Sequence, residues 1–213
     1  SGWVTSGETE LDKRGPEHEV DWALNPRGKG HMPWHRAIRA VGLQFEYVTD
    51  RMLRQGAFRP EQWKVMVLSQ CEAIGAREAE VIRRFVHGGG TLIADVRPGI
   101  YDGHGKPRPT GALDDVFGVR HTGNVPALEA DGTVRGTIGG DRHVDLALPA
   151  LHVNPALALT TAEAVGEAEG VPILAIHRVG AGRAILLNFT MTTYPNLSRS
   201  ATDEAYATML ADL

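Results

Sequence analysis

Residues 64–96 constrain the fold more than any other part of the chain. They read KVMVLSQ, a polar bend, the helix-period segment AREAEVIRRFVH, three glycines and then TLIADV. KVMVLSQ and TLIADV are short, continuously apolar runs, the pattern of strands covered on both faces. Between them Val81, Ile82, Phe85 and Val86 share one side of a helix predicted over Ala76–His87. Two covered strands joined through a helix in about thirty residues form a βαβ crossover, so the two strands are expected to be parallel.

The glycines in this unit bear on chemistry as well as on fold. A phosphate cradle needs its glycines after a strand and before a helix, so that helix amides face the anion. Gly88, Gly89 and Gly90 follow a helix and precede a strand. They are read as a helix stop, because glycine takes the left-handed cap conformation cheaply.

The flanking segments extend the pattern. Residues 1–32 form an irregular, charged N-terminal segment, with Trp3 and Trp22 as anchors or partner contacts. An α/β domain over 33–213 then opens at Pro33, where Trp34, Ala37, Ile38 and Val41 fall on one helix face. LQFEYVT, residues 43–49, has the aromatic and β-branched content of a strand. GALDDVFGV reads as a short helix. GTVRGTIGGDRHVDLALP reads as a hairpin turning at Gly139-Gly140. VPILAIHRVGAGRAILLNF is the clearest antiparallel signal, two apolar runs about Gly180-Ala181-Gly182. Ser200 with Asp203 resembles a capping box for a last helix that buries Tyr206, Met209, Leu210 and Leu213. The expected architecture is a layered α/β domain with an antiparallel hairpin extension at one edge.

Charge and hydropathy narrow the classes of function. A net charge of −4 and no basic stripe speak against nucleic acid. No apolar run approaches the length of about 18 residues that spans a bilayer, and no leader is visible at Ser1, so a soluble protein is expected, cytoplasmic or secreted. The single cysteine, Cys71, leaves no internal disulfide. His31 and His35 are four apart, but Pro33 interrupts a regular helix between them. Asp141, His143 and Asp145 alternate as a solvated strand face does. No metal site and no cofactor motif is therefore assigned.

The ordered series Gly89-Gly90-Thr91-Leu92, Arg97, Gly99, Asp102, Gly105, Leu113 and Gly118-Val119 resembles the trimerisation domain of family 42 glycoside hydrolases, the β-galactosidases. The hairpin at residues 180–189 is similar to the late hairpin of such domains. The resemblance implies a flavodoxin-like, class I glutamine-amidotransferase-like fold with a mostly parallel sheet and without amidotransferase chemistry. It also implies a non-catalytic assembly module that self-associates or docks to a catalytic (β/α)₈ barrel. The barrel would carry the two carboxylates of glycoside cleavage, and 213 residues do not hold both a barrel and this domain. The family's first strand has no clear counterpart before Pro33.

Two places carry candidate chemistry. DVRPGIYDGHGKPRP, residues 95–109, sets Asp95, Arg97, Tyr101, Asp102, His104 and Lys106 beyond the carboxyl end of a covered strand, where α/β sheets take ligands. These residues would serve as an internal Asp–Arg lock on the loop, as a face toward the barrel or a neighbouring subunit, or as a sugar or ion site. Arg97 is expected to pair with Asp95 or Asp102. Cys71, just after KVMVLSQ, is the alternative nucleophile of a stand-alone amidotransferase-like hydrolase. Its neighbours Gln70 and Glu72 bring no positive charge to stabilise a thiolate. A carbohydrate-binding module is the third reading.

Overall fold

The computed structural model describes residues 31–123, 125–138 and 143–191. Nearly all of the charged N-terminal segment, the Gly139-Gly140 turn and the expected last helix lie outside them. In chain order the elements are α1 (His31–Ala40), α2 (Asp50–Arg54), a 3₁₀ turn (Pro60–Gln62), β1 (Val65–Leu68), α3 (Ala76–His87), β2 (Thr91–Asp95) and α4 (Asp114–Phe117). Then come β3 (Val119–His121), β4 (Leu128–Thr137), β5 (His143–Val153), β6 (Leu157–Leu159), β7 (Glu163–Ala168), β8 (Val171–Val179) and β9 (Gly182–Leu187).

The βαβ unit forms as its pattern predicts: β1 and β2 pair in parallel, Val65 opposite Thr91 and Leu68 opposite Ala94, across α3. Gly89, at φ 107, follows the end of α3. The late hairpin also forms, β8 against β9 with Val179 opposite Gly182. Gly182 is required by close approach, since a Cβ there would collide with the carbonyl oxygens of Val86 and Gly90. That contact seats the hairpin against the end of α3.

The sheet as a whole overturns the expected architecture. Seven strands run in the order β1-β2-β9-β8-β7-β4-β5, and β3 pairs with β6 apart from them. Only β1–β2 and β2–β9 are parallel; β9–β8, β8–β7, β7–β4 and β4–β5 are antiparallel. The domain is a mixed sheet curled into a half-barrel with few helices, not a mostly parallel, layered flavodoxin-like or amidotransferase-like fold. The physical reason lies in the connections. Each parallel step needs a crossover of a dozen or more residues, usually a helix. Among the described residues only α3 supplies one of that length, whereas α4 has four residues. From β7 onward, short turns join successive strands, which forces them antiparallel. Register shifts at Ala130/Gly132, Ala164/Gly166 and Gly166/Glu167 mark bulges, and bulges bend and twist a sheet.

The three parallel strands are covered on both faces. Met66, Leu68, Leu92, Ala94 and Leu186 pack with Ile82, Phe85 and Val86 of α3. The alternate residues Val67, Ile93, Ile185 and Leu187 pack with Trp34, Ala37 and Ile38 of α1. The apolar face predicted for the first helix is thus the buried face.

A second correction concerns residues 43–49, which form no strand. Phe45 packs with the α1-side core and Val48 with the α3-side core, so the segment carries the chain from one face of the sheet to the other. Among the described residues no backbone–backbone hydrogen bond involves residues 44–48. Strand-like composition fails here because a strand needs a ladder partner, and this path has none among the described residues. No described helix is long and apolar enough to cross a membrane.

Candidate functional site

β1 and β2 end side by side, and the chain leaves both at the same end of the sheet. Two non-glycine residues take left-handed backbone there, Gln70 (φ 49) and Arg97 (φ 55). Such a conformation costs an ordinary residue about 1–2 kcal/mol, so the surroundings must hold it. They do so through a lattice between the two exit loops. The Gly99 amide donates to the Cys71 carbonyl at 2.9 Å, the Tyr101 amide to Glu72 at 2.9 Å, and the Ile74 amide to Tyr101 at 3.1 Å. The Arg108 guanidinium donates to the Ile74 carbonyl at 3.1 Å.

Asp95 lies at the centre and is fully buried. Its carboxylate accepts the Gln70 amide at 2.5 Å and the Trp34 indole N–H at 3.0 Å, tying β2 to the end of β1 and to α1. Burial pushes its pKa up to about 7, against the opposing pull of the Gln70 amide, the Trp34 indole and the amides of Asp95 and Met191. Arg97 turns the other way. Its Nη2 sits 2.6 Å from Glu72 Oε1, and each side chain is 3% exposed. Arg97 does form an ion pair with a carboxylate, but with Glu72 in place of the expected Asp95 or Asp102. The left-handed turn at Arg97 and the adjoining strand ends bring Glu72 within reach.

The rest of the loop is organised differently. Asp102 Oδ1 accepts the amides of His104 and Lys106, both at 2.9 Å. Those two amides hold the Asp102 carboxyl below its usual range. Asp102 thus folds the tip back on itself, while His104 and Lys106 are exposed there. Tyr101 is half-buried and bridges to Ala73 and Pro107. The six loop residues therefore split into a buried pair, Asp95 and Arg97, and a tip from Tyr101 to Lys106.

Cys71 is wholly buried, with its thiol directed at the Ser69 carbonyl at 3.7 Å. A thiol becomes a nucleophile as an accessible thiolate. Iodoacetamide is expected to label native Cys71 at least about a hundredfold more slowly than a free thiol, through opening of the fold. Mass spectrometry of timed samples would measure it. Labelling at the free-thiol rate would show that the site opens readily.

Sequence reasoning missed four residues: Gln70 and Glu72 at the strand ends, and the buried Asp114–His121 pair beyond the loop. Gln70 and Glu72 had a signal, since polar residues placed directly after a buried apolar run lie beside the neighbouring strand's exit loop. Asp114 accepts the Gly111 and His121 amides, and its Oδ1 lies 2.6 Å from His121 Nδ1. Burial raises the Asp114 pKa, but the His121 contacts and the two amides outweigh it and leave it lowered.

A second feature lies on the α3 face, away from the loop. α2, the Pro60 turn and α3 enclose a groove of about 590 Å³. Leu53, Phe58 and Val81 line it, with Arg77 and Arg84 on the α3 side and Glu80 between them.

No family model and no curated protein sequence matches the chain. Solved structures do. A β-galactosidase from Bacillus circulans sp. alkalophilus superposes on 100% of this chain with a TM-score of 0.68 at 18% identity, using 30% of its own length. The E323A catalytic mutant of Gan42B, a GH42 β-galactosidase from G. stearothermophilus, matches over 99% of this chain at TM-score 0.68 and 14% identity. The chain has the fold of a small domain of family 42 β-galactosidases. At these identities the likeness is one of fold. The chain spans about 30% of those enzymes' length. The same fold also accounts for 97% of a cytoplasmic protein of Salmonella typhimurium LT2, at TM-score 0.56 and 14% identity.

Proposed function

We propose that this chain is a non-catalytic assembly module of a β-galactosidase-like glycoside hydrolase, acting by self-association or by docking to a catalytic (β/α)₈ barrel. The observation that carries the reading is the end-to-end match of this chain to less than a third of a β-galactosidase. The larger remainder of such an enzyme leaves room for a barrel of about 250 residues. The state of the strand ends supports the same reading. Glu72 is engaged by Arg97, Asp95 by amides and an indole, and the Cys71 thiol is buried. These groups lock two loops together, which suits a scaffold. Carbohydrate remains a candidate ligand of the loop tip, where Tyr101, Asp102, His104 and Lys106 gather.

A second reading is favoured by the Salmonella protein, which is almost wholly this fold. Under it the chain works alone, as a Cys71 hydrolase or a carbohydrate binder. The burial of Cys71 weighs against the hydrolase form.

Light scattering of the purified chain, with and without a separately expressed β-galactosidase barrel, tests the assembly reading. A mass above that of the monomer, or a complex with the barrel, is expected, with no hydrolysis of an aryl galactoside by the chain alone. A strict monomer that ignores the barrel would sink the proposal. Hydrolysis that disappears in Cys71→Ala would replace it with the enzyme reading.

A further inference from the structure

The groove between α2 and α3 has a charge pattern that its own surroundings do not complete. Arg54, at its edge, is paired with Asp50 and Glu78. Arg77 and Arg84 have no ionic partner among the described residues, although the chain as a whole carries a net charge of −4. They stand two helical turns apart on one face of α3, with two carboxylates between them, Glu78, which pairs with Arg54, and Glu80, which lines the groove. Beneath them lies the apolar floor of Leu53, Phe58 and Val81. Such a site suits a segment that brings a carboxylate together with large apolar side chains.

Among the described residues, the chain exposes such a segment at 43–47. Residues 43–47 place Leu43, 40% exposed, and Tyr47, 50% exposed, on either side of the exposed Glu46. Phe45 and Tyr47 form an aromatic cluster with His35, ring centroids 4.7–5.5 Å apart. Glu46 has no ionic partner among the described residues. The backbone of 44–48 likewise makes no hydrogen bond to other described backbone. Tyrosine and other large apolar anchors, flanked by a charge of the right sign, are what buried interface centres use.

We infer that residues 43–47 of one copy of this chain dock in the α2–α3 groove of a second copy, with Glu46 meeting Arg77 and Arg84 and Tyr47 meeting the apolar floor. This rests on the assembly reading above and names the surfaces that carry it. The two patches differ, so the contact either reciprocates about a two-fold axis or closes a ring. Charge pairing fixes the register of the segment in the groove, while burial of the aromatic ring contributes most of the affinity.

Sedimentation velocity from micromolar to millimolar concentration tests it on the full chain. Glu46→Arg is expected to weaken self-association about tenfold or more, as is Arg77→Glu combined with Arg84→Glu. Tyr47→Ala is expected to weaken it by a similar factor. Combining the segment and groove reversals should restore association to within about threefold of the unmutated chain, because opposite charges again face each other. Thermal melts of each variant separate lost docking from lost folding, and unchanged melting is expected for these surface positions. Self-association unaffected by either reversal would overturn this contact and leave the assembly reading standing. A combined variant no stronger than the single reversals would also overturn it. A chain that stays monomeric to millimolar concentration overturns it whether or not the barrel binds, and the barrel arm then decides the assembly reading separately.

Discussion

Arg97→Ala is expected to lower the unfolding free energy by about 3–5 kcal/mol, because it removes the cation that faces the buried Glu72 carboxylate. The guanidinium and the carboxylate are 2.6 Å apart and each is 3% exposed, so little water is available to solvate the survivor. Glu72→Ala should cost a similar amount by removing the carboxylate that faces the buried cation. Replacing both by leucine should cost clearly less than the sum of the two, since no charge is then left buried. Backbone strain supplies an internal control. Arg97 has φ 55, which alanine finds as uncomfortable as arginine does. Arg97→Gly should therefore lose less than Arg97→Ala, by about 1 kcal/mol. Urea unfolding followed by circular dichroism measures all four variants. A loss under about 1 kcal/mol for Arg97→Ala would mean that Glu72 finds other solvation, and the lock on the exit loops would need another explanation.

Stability should also depend on pH through Asp95, in the direction opposite to that of most carboxylates. Its folded pKa of about 7 lies above the unfolded value near 3.8, so the folded state holds a proton that the unfolded state has released. Stability from this group is fully present below about pH 4 and falls as pH rises, until Asp95 ionises in the folded protein near pH 7. The total change is about 4 kcal/mol at 1.36 kcal/mol per pH unit. Asp95→Asn removes the titration. The difference in unfolding free energy between the natural chain and this variant should therefore decline across that window and flatten above it. Asp114 and Asp115 have lowered pKa values and act the other way at low pH, but both remain in the variant and cancel. A difference that stays flat from about pH 4 to about pH 8 would show that the Trp34 and Gln70 donors keep Asp95 ionised throughout.

The parts of the fold legible in the sequence were those decided locally. The α3 crossover and the β8–β9 hairpin each follow from a pattern within about thirty residues. The sheet's overall character was not local. β9 joins the parallel strands from the far end of the described chain, and β4, β5 and β7 supply the antiparallel majority. Alternation in those strands says that one face is buried, and it does not say which strand lies alongside. Residues 43–49 show the same limit, with strand-like side chains and no ladder partner among the described residues. At the candidate site, the loop's position beyond β2 was readable. The partner of Arg97 was not, because Glu72 reaches it across the strand ends and not along the chain.

The place of β9 in the sheet has a consequence for how the protein is made. β9 lies between β2 and β8, yet it is the last described strand to be synthesised. At about 5–20 residues per second, the edge of β2 waits several seconds for its neighbour after it leaves the ribosome. Its continuously apolar residues Leu92, Ile93 and Ala94 are then open to any other strand. Closing that long loop also puts a slow, non-local step at the end of folding, after β7 and β8 have had time to pair locally. A nascent chain halted before Gly182 should therefore be prone to aggregate. A few residues more let the hairpin close and fill the gap, which makes this short turn the kinetic gate of the whole domain.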